Sequence, residues 1–345
     1  MKVLGIESSC DETACAIVED GKTILSNVVA TQIPVHQIYK GVVPEIASRK
    51  HAEWILPVVR QALAEANLKL DEVDAIAATN RPGLMGSLLV GLTFGKTLAW
   101  AANKPFLAVN HMMGHMYAAH LANDISYPYI GLLVSGGHSI IAKVNGFDDF
   151  EILGTTIDDS VGEAFDKVSK FYDLGYPGGV IIDKLSQKGD ARAFSFPLPK
   201  LDKGDHEFDV SFSGLKTAVI HQAQMFLNEG YENTVENNAA SFQETACKTL
   251  VTRLLRAVKA TGLTTVVAGG GVAANSRLRA MLAEHTEIKC IFPPLKLCGD
   301  NGAMIAGVAY HLLNRGDRSP LSTTACARIP QFKRGLANLE AFGRR

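Results

Sequence analysis

The chain has 345 residues, with 34 Lys and Arg against 35 Asp and Glu, so its formal net charge is -1. That length suits about two domains. Hydrophobic residues make up 47% and charged residues 20%, which is typical of a soluble globular protein and excludes a disordered, collagen-like or coiled-coil chain. The balanced charge excludes a surface that is basic throughout and leaves room only for a local basic stripe.

The sequence predicts a cytoplasmic protein without a membrane segment. No apolar run reaches the roughly 18 residues that a membrane helix needs, and the richest stretch, 84–102, is interrupted by Ser87, Thr93 and Lys96. Acidic residues near the N-terminus stand where a signal peptide would need its apolar core. The six cysteines are scattered without a C-x-x-C pair, which favours reduced thiols.

The first half of the chain alternates predicted strands with predicted helices. Short apolar runs bounded by turn residues predict strands at 2–7, 14–19, 23–29, 74–79 and 106–109. Apolar residues at helical spacing predict helices at 43–67 and 84–102. This alternation is typical of an α/β fold with a largely parallel sheet.

The second half repeats the opening pattern. Predicted strands at 129–134, 138–144 and 150–154 are separated by turns that contain glycine, and helices follow them. The repeat predicts two similar lobes across a cleft, where ligands commonly bind; two unrelated meanders are the alternative. We place lobe one at 1–110, with the last helix returning to it, lobe two at 111–325, and a basic tail at 326–345.

Two histidines four residues apart stand in the segment HMMGH, at His111 and His115. On a helix this spacing projects both rings from one face and makes a ready bidentate metal site; a pair of structural histidines is the alternative. Asp300, between a predicted strand and a predicted helix, is the candidate third ligand. A zinc protease of the HExxH type needs Glu after the first His, and Met112 at that position argues against it.

Two glycine turns indicate an anion site. The turn Val134–His138 links two strands, where glycine lets successive backbone N–H groups converge on an anion. Gly269–Gly271 joins a strand to a helix, the geometry in which phosphate binds at a helix N-terminus. Together they predict a nucleotide, although each alone is explained as a simple reversal of the chain.

Acidic residues cluster in predicted loops and early in helices, at Asp11, Glu12, Asp158, Asp166 and Asp183. An acid at a strand end facing a cleft can bind a metal or ribose hydroxyls, or carry a proton. Helix caps and solvated faces are the alternative, and Asp158, just ahead of a predicted helix, is the clearest candidate for a cap.

The helix predicted at 84–102 carries a stripe of small residues at every fourth position: Ser87, Gly91, Gly95 and Ala99. Small residues allow another element to approach closely. We expect the stripe either to pack against the sheet of lobe one or to dock a partner subunit.

The segment Gly5–Thr13, with the sequence GIESSCDET, resembles the opening motif of the tRNA N6-adenosine threonylcarbamoyltransferase family. Further motifs resemble the family in the same order: His111–His115, Ser135–His138, Glu163–Lys167, Tyr176–Gly179, Ser211–Lys216, Ala268–Val272 and Asp300–Ala306. The sequence departs from the family's usual residues at Arg81, Ser139 and Gly299, and none of these changes removes a candidate ligand.

The resemblance implies an actin-like ATPase fold of the sugar kinase and heat-shock type, with two duplicated ribonuclease-H-like lobes around a central cleft. It implies transfer of threonylcarbamoyl from threonylcarbamoyl-AMP to N6 of adenosine 37 in tRNAs that read ANN codons. One divalent metal, iron rather than zinc, would be held by His111, His115 and Asp300. The remaining implied site residues are Leu133, Val134, Ser135, Gly136, Gly137, Asp166, Gly179, Asp183 and Asn275 for the adenylate, or an ATP or AMP analogue, and Asp11 and Glu12 for catalysis.

The resemblance also implies partners. These are tRNA, an inactive actin-like paralogue, a P-loop ATPase subunit and a separate synthase that supplies the adenylate. We expect the small-residue stripe to form part of the contact with the paralogue. The alternatives are a metalloprotease and a non-enzymatic ATP-binding regulator; retention of both histidines and the acids argues against the regulator.

Overall fold

The computed structural model describes residues 1–201 and 206–328, so most of the predicted basic tail lies outside the described residues. The first half contains β1 (Lys2–Glu7), β2 (Glu12–Glu19), β3 (Thr23–Thr31), α1 (Ile33–His36), α2 (Pro44–Glu65), β4 (Ala75–Arg81), α3 (Met85–Ala101) and β5 (Phe106–Asn110). The second half contains α4 (His111–Tyr117), β6 (Tyr129–Val134), β7 (Ser139–Val144), β8 (Phe150–Thr155), α5 (Val161–Phe171), α6 (Gly178–Ser186), α7 (Ser213–Gln222), α8 (Val235–Thr261), β9 (Thr265–Gly269), α9 (Ser276–Ala283), β10 (Lys289–Ile291) and α10 (Gly302–Arg315).

The strands form two five-stranded sheets with one shared topology. The first has the order β3-β2-β1-β4-β5 and the second β8-β7-β6-β9-β10. In both, the three strands of the meander pair antiparallel and the last two strands join in parallel. The predicted internal repeat is therefore confirmed, and the two turns after β1 and β6 occupy equivalent positions.

Helix α10 comes from the end of the described chain but packs on the first sheet. A Cβ atom at Gly5 would lie 2.5 Å from the backbone nitrogen of Ala306, and one at Gly302 would lie 2.5 Å from that of Ala16. Glycine at both positions thus lets the helix backbone touch the strands. This close approach carries Asp300, two residues ahead of α10, to the edge of the first sheet.

The small-residue stripe of α3 also faces the first sheet. Ser87, Gly91, Gly95 and Ala99 are all buried. A side chain at Gly91 would collide with Ser8, and a Cβ atom at Gly95 would lie 3.0 Å from that of Ala78. Our expectation that this stripe contacts a partner is wrong, because the strands of its own lobe already cover it.

No helix in the described part of the chain is long and apolar enough to cross a membrane. All six cysteines, at 10, 15, 247, 290, 298 and 326, are free thiols. Burial raises the pKa of the Cys15 and Cys247 thiols, so these two side chains are inert core residues.

Candidate active site

Helix α4 begins directly after β5 and presents both histidines on one face. Asn110 caps the helix, since its side-chain oxygen accepts a hydrogen bond from the Met112 backbone nitrogen at 2.9 Å. The rings of His111 and His115 are buried and lie edge to face, with centroids 4.5 Å apart. The i, i+4 spacing therefore places the two imidazoles together, as the sequence predicted.

Asp300 completes a three-residue cluster. Its Oδ1 lies 3.6 Å from His111 Nε2 and 3.1 Å from His115 Nε2. One potential ligand atom from each of the three residues lies within 4.8 Å of the other two. The donors come from positions far apart in sequence, and they meet because α4 and α10 both pack at the first sheet.

Glu7 orients His111, and the sequence analysis did not select it as a site residue. This fully buried carboxylate accepts hydrogen bonds from His111 Nδ1 at 3.0 Å, Thr79 Oγ1 at 2.6 Å and the Ser9 backbone nitrogen at 2.5 Å. Because a carboxylate only accepts, neutral His111 carries its proton on Nδ1 and leaves the Nε2 lone pair free toward Asp300. An acid closing an otherwise apolar strand was the available signal.

The buried polar atoms fit a metal. Both ring nitrogens of His115 are buried without a hydrogen-bond partner among the described residues, and the 3.1 Å contact of Nε2 with Asp300 lacks hydrogen-bond geometry. A buried acceptor without a donor is costly unless a ligand satisfies it. Two imidazoles and one carboxylate form a donor set suited to divalent iron or zinc.

The charges within the cluster are strongly coupled. Burial disfavours the imidazolium, but the Glu7 and Asp300 carboxylates outweigh it and raise the pKa of His111 to about 9. Burial likewise opposes charge on Asp300, yet His111 and His115 lower the pKa of its carboxyl to about 2. Metal ligands must be deprotonated, so binding of a divalent cation would displace the proton from His111.

The loop between β1 and β2 carries Asp11 and Glu12 into the same region. Asp11 Oδ2 accepts a hydrogen bond from the hydroxyl of Tyr176 at 3.3 Å, which joins the two halves of the chain. Thr31 donates to Glu12 at 3.1 Å. Burial, followed by the charges of Asp11 and Asp300, raises the pKa of Glu12 well above its usual range, so Glu12 holds its proton at neutral pH.

The Ser135–Gly137 turn follows Leu133 and Val134, which are buried at the end of β6. Among the described residues, no heavy atom comes within 4 Å of a Cβ built on Gly136 or Gly137. The next residue, His138, lies near the metal cluster: burial, then the charges of His111 and His115, lowers its pKa to about 4. The turn thus combines open space above its backbone with proximity to the candidate ligands.

The start of α5 braces this turn, through a residue that differs from our expectation. Ser160 is the cap, since its hydroxyl accepts from the Glu163 backbone nitrogen at 3.1 Å and donates to the Gly136 carbonyl at 2.6 Å. The prediction that Asp158 caps this helix is wrong. Asp158 instead accepts from the Phe212 backbone nitrogen at 2.8 Å, at the start of α7.

Asp166 and Gly179 lie on neighbouring helices. The Gly178 backbone nitrogen donates to Asp166 Oδ1 at 2.7 Å. Burial, assisted by the charge of Asp11, raises the pKa of Asp166 to about 6. A Cβ built on Gly179 meets no heavy atom of the described residues within 4 Å, so space is open above it.

The other two predicted nucleoside residues are engaged at the start of α9. Asp183 accepts from the Ser276 hydroxyl at 2.6 Å. Asn275 accepts from the Leu278 backbone nitrogen at 2.9 Å and donates to Gln243 at 2.8 Å. Each side chain therefore has a fixed orientation, and sequence reasoning had not linked them to one helix start.

The duplicated sheets and the cleft that holds these residues define an actin-like ATPase fold. The chain resembles component A of the Acidaminococcus fermentans (R)-2-hydroxyglutaryl-CoA dehydratase, with 15% identity, a TM-score of 0.53, and coverage of 90% of this chain and 98% of that one. It also resembles full-length HypF in a phosphate- and nucleotide-bound form, with 13% identity, a TM-score of 0.59, and coverage of 90% and 55%. At such identities the likeness concerns the fold alone.

Sequence comparison identifies the family. The family model described as tRNA N6-adenosine threonylcarbamoyltransferase matches residues 23–307. Relatives of that name are 69% identical over 334 residues in Treponema denticola (97% of this chain, 99% of the relative) and 57% identical over 342 residues in Treponema pallidum (99% and 97%). Another, from Brachyspira hyodysenteriae, is 49% identical over 329 residues (95% and 96%). The chain belongs to the tRNA N6-adenosine threonylcarbamoyltransferase family, which confirms the resemblance seen in its motifs.

Proposed function

We propose that this protein transfers threonylcarbamoyl from threonylcarbamoyl-AMP to N6 of adenosine 37 in tRNAs that read ANN codons. Membership of the family supports the reaction. The observation that carries the site is the cluster of His111, His115 and Asp300, which shares one region with Asp11 and with the turn at Gly136. An acid, a potential metal site and an open backbone turn are the parts that such an acyl transfer needs.

His111, His115 and Asp300 would hold one divalent ion. Two histidines and one carboxylate are typical of non-haem iron(II) sites, and this favours iron over zinc. When bound, the ion would supply Lewis-acid stabilisation of oxygen atoms that carry negative charge. Glu7 would keep His111 in the tautomer that offers Nε2.

The adenylate would lie on Leu133, Val134, Ser135, Gly136 and Gly137. Backbone N–H groups at a glycine turn can approach phosphate oxygens closely because no Cβ intervenes. Asp166, Gly179, Asp183 and Asn275 would surround the nucleoside, and the open space at Gly179 suits a ligand packed against backbone.

The chemistry requires an activated acyl donor. The exocyclic amine of adenine is a poor nucleophile because its lone pair is delocalised into the ring, and a mixed anhydride with AMP compensates for this. The N6 nitrogen forms a bond to the carbamoyl carbon, the bond from that carbon to the phosphate oxygen breaks, and AMP leaves. Asp11 takes the proton from the amine; Glu12, which is protonated at neutral pH, is less suited to act as the base.

The partners would be tRNA, an inactive actin-like paralogue, a P-loop ATPase subunit and the synthase that makes the adenylate, all in the cytoplasm. With a net charge of -1, this chain alone offers tRNA little electrostatic attraction. The outer face of α3 exposes Met85, Leu89 and Trp100. We assign the paralogue contact to this face, in place of the buried stripe, and keep the division into lobes at 1–110 and 111–325.

Reconstitution tests the proposal. Unmodified tRNA is incubated with this protein, its companions, threonine, bicarbonate and ATP, and its nucleosides are measured by mass spectrometry. We expect threonylcarbamoyladenosine with the wild type and none with His111→Ala or Asp300→Ala, which should also lose bound iron by elemental analysis. Absence of product, with the companions active beside another family member, would contradict the function; activity of both variants would contradict the metal site.

A further inference from the structure

A buried histidine outside the proposed machinery grips the loop that carries Asp11 and Glu12. His51 lies on α2 with a fully buried side chain. Its Nε2 lies 2.9 Å from the carbonyl oxygen of Cys10, and its Nδ1 lies 2.8 Å from the hydroxyl of Thr13. One imidazole therefore contacts the residue before Asp11 and the residue after Glu12.

These two contacts define the state of the ring. A carbonyl oxygen only accepts, so His51 carries its proton on Nε2, and Nδ1 accepts from Thr13. Burial lowers the pKa of His51 and keeps the ring neutral. A second anchor acts at the same carbonyl, since Ser87 Oγ on α3 donates to Cys10 at 3.3 Å.

We infer that His51 is a positioning residue for the reaction: it fixes the backbone on both sides of the acidic pair and so sets where the Asp11 carboxylate stands. His51 reaches no part of the proposed adenylate or metal site, and it acts through the loop alone. The inference rests on the proposed role of Asp11. A catalytic group displaced by about 1 Å loses roughly a hundredfold in rate, which gives this grip a measurable value.

The main variant is His51→Gln, whose amide can still donate to Cys10 but leaves Thr13 without its acceptor. We expect kcat for transfer to tRNA to fall by up to about a hundredfold. The KM for tRNA, the affinity for a non-hydrolysable adenylate analogue and the iron content should stay within twofold of wild type. Thr13→Val, nearly isosteric with Thr, removes the other half of the contact and should lower kcat in the same way, with no added loss in the double variant.

A matched control is His120→Gln. His120 is also buried and hydrogen-bonded, at 3.0 Å to the Tyr129 hydroxyl, but it packs among tyrosines away from the loop. It should change the melting temperature without lowering kcat at a temperature where the protein is folded. Equal losses of kcat in both histidine variants would overturn the inference in favour of a general effect on stability.

A readout independent of activity separates this inference from the role of Asp11. Hydrogen exchange of a peptide spanning residues 8–13 should become faster in His51→Gln and Thr13→Val and stay unchanged in His120→Gln. Unchanged exchange in both loop variants would overturn the grip whatever Asp11 does. Faster exchange together with full activity of Asp11→Ala would leave the grip standing and refute the proposed base instead. If His51→Gln does not fold, Thr13→Val decides by the same two readouts.

Discussion

The turn after β1 and the turn after β6 occupy the same place in two copies of one sheet, yet they differ in what they present. The first turn leads into Asp11 and Glu12 and is held by His51 and Ser87 behind it. The second presents Gly136 and Gly137, whose backbone borders open space. The duplicated scaffold thus supplies two tips near one metal cluster, and the residues at each tip decide whether it handles protons or anions.

Asp11→Ala should break the acidic tip most severely. Removing a general base typically costs about a hundredfold to ten-thousandfold in rate, so transfer should nearly vanish. Binding of an adenylate analogue, measured by calorimetry, should stay within about twofold, because the glycine tip is intact. An equal loss of binding and transfer would contradict the assignment of separate tasks to the two tips.

Glu7→Gln tests the last residue of β1, whose counterpart in β6 is the apolar Val134. The amide keeps the volume but loses the charge that holds the Nδ1 proton of His111. Metal affinity should fall about tenfold to a hundredfold, as measured by competition with a chelator. Glu19→Gln, at the far end of β2, is the control and should bind metal like wild type; an unchanged affinity in Glu7→Gln would refute its orienting role.

Gly137→Val tests the glycine tip. A side chain there enters open space, so the melting temperature should stay the same while adenylate binding weakens by about tenfold, or about 1.4 kcal/mol. Gly270→Ala is a contrasting control. Gly270 has a φ of 88°, and a side chain there would collide with the Val134 carbonyl, so this variant should lose stability first. A stability loss in Gly137→Val would show that its turn is packed.

Asp166→Asn should have the smallest effect. The pKa of Asp166 is raised to about 6 by burial, so the folded state binds its proton more tightly than the unfolded chain. Its favourable contribution is complete below about pH 4 and is lost as the pH rises through 6. The neutral amide should therefore raise the melting temperature by about 1 to 3 °C at pH 7.5 and weaken the dependence between pH 4 and 6, while adenylate affinity falls. A melting temperature lower than wild type at pH 7.5 would contradict this reasoning.

The fold and half of the site could be predicted from local sequence. Short apolar strands between turn residues revealed the duplicated meander, and the spacing of His111 and His115 needed only helical geometry. Glu7 and His51 could not be found in this way, because their partners at His111 and Cys10 are distant in sequence and meet only through packing.

Two expectations failed because a local pattern has more than one tertiary use. The stripe that includes Gly91 allows close approach, and its own sheet, rather than a partner, occupies that space. Asp158 precedes a helix, but the chain folds so that the start of α7 lies nearer to its carboxylate, and Ser160 takes over the cap. In both cases the residue chemistry was interpreted correctly and the neighbour was not.

The return of α10 to the first sheet has a consequence for biosynthesis. His111 and His115 leave the ribosome long before Asp300, and Gly302 must then dock beside Ala16 to bring that carboxylate into place. A nascent or prematurely terminated chain lacking this last described helix offers only two of the three donors. Metal loading therefore waits for nearly complete synthesis, and the cluster serves as a chemical proof that the chain has been finished and folded.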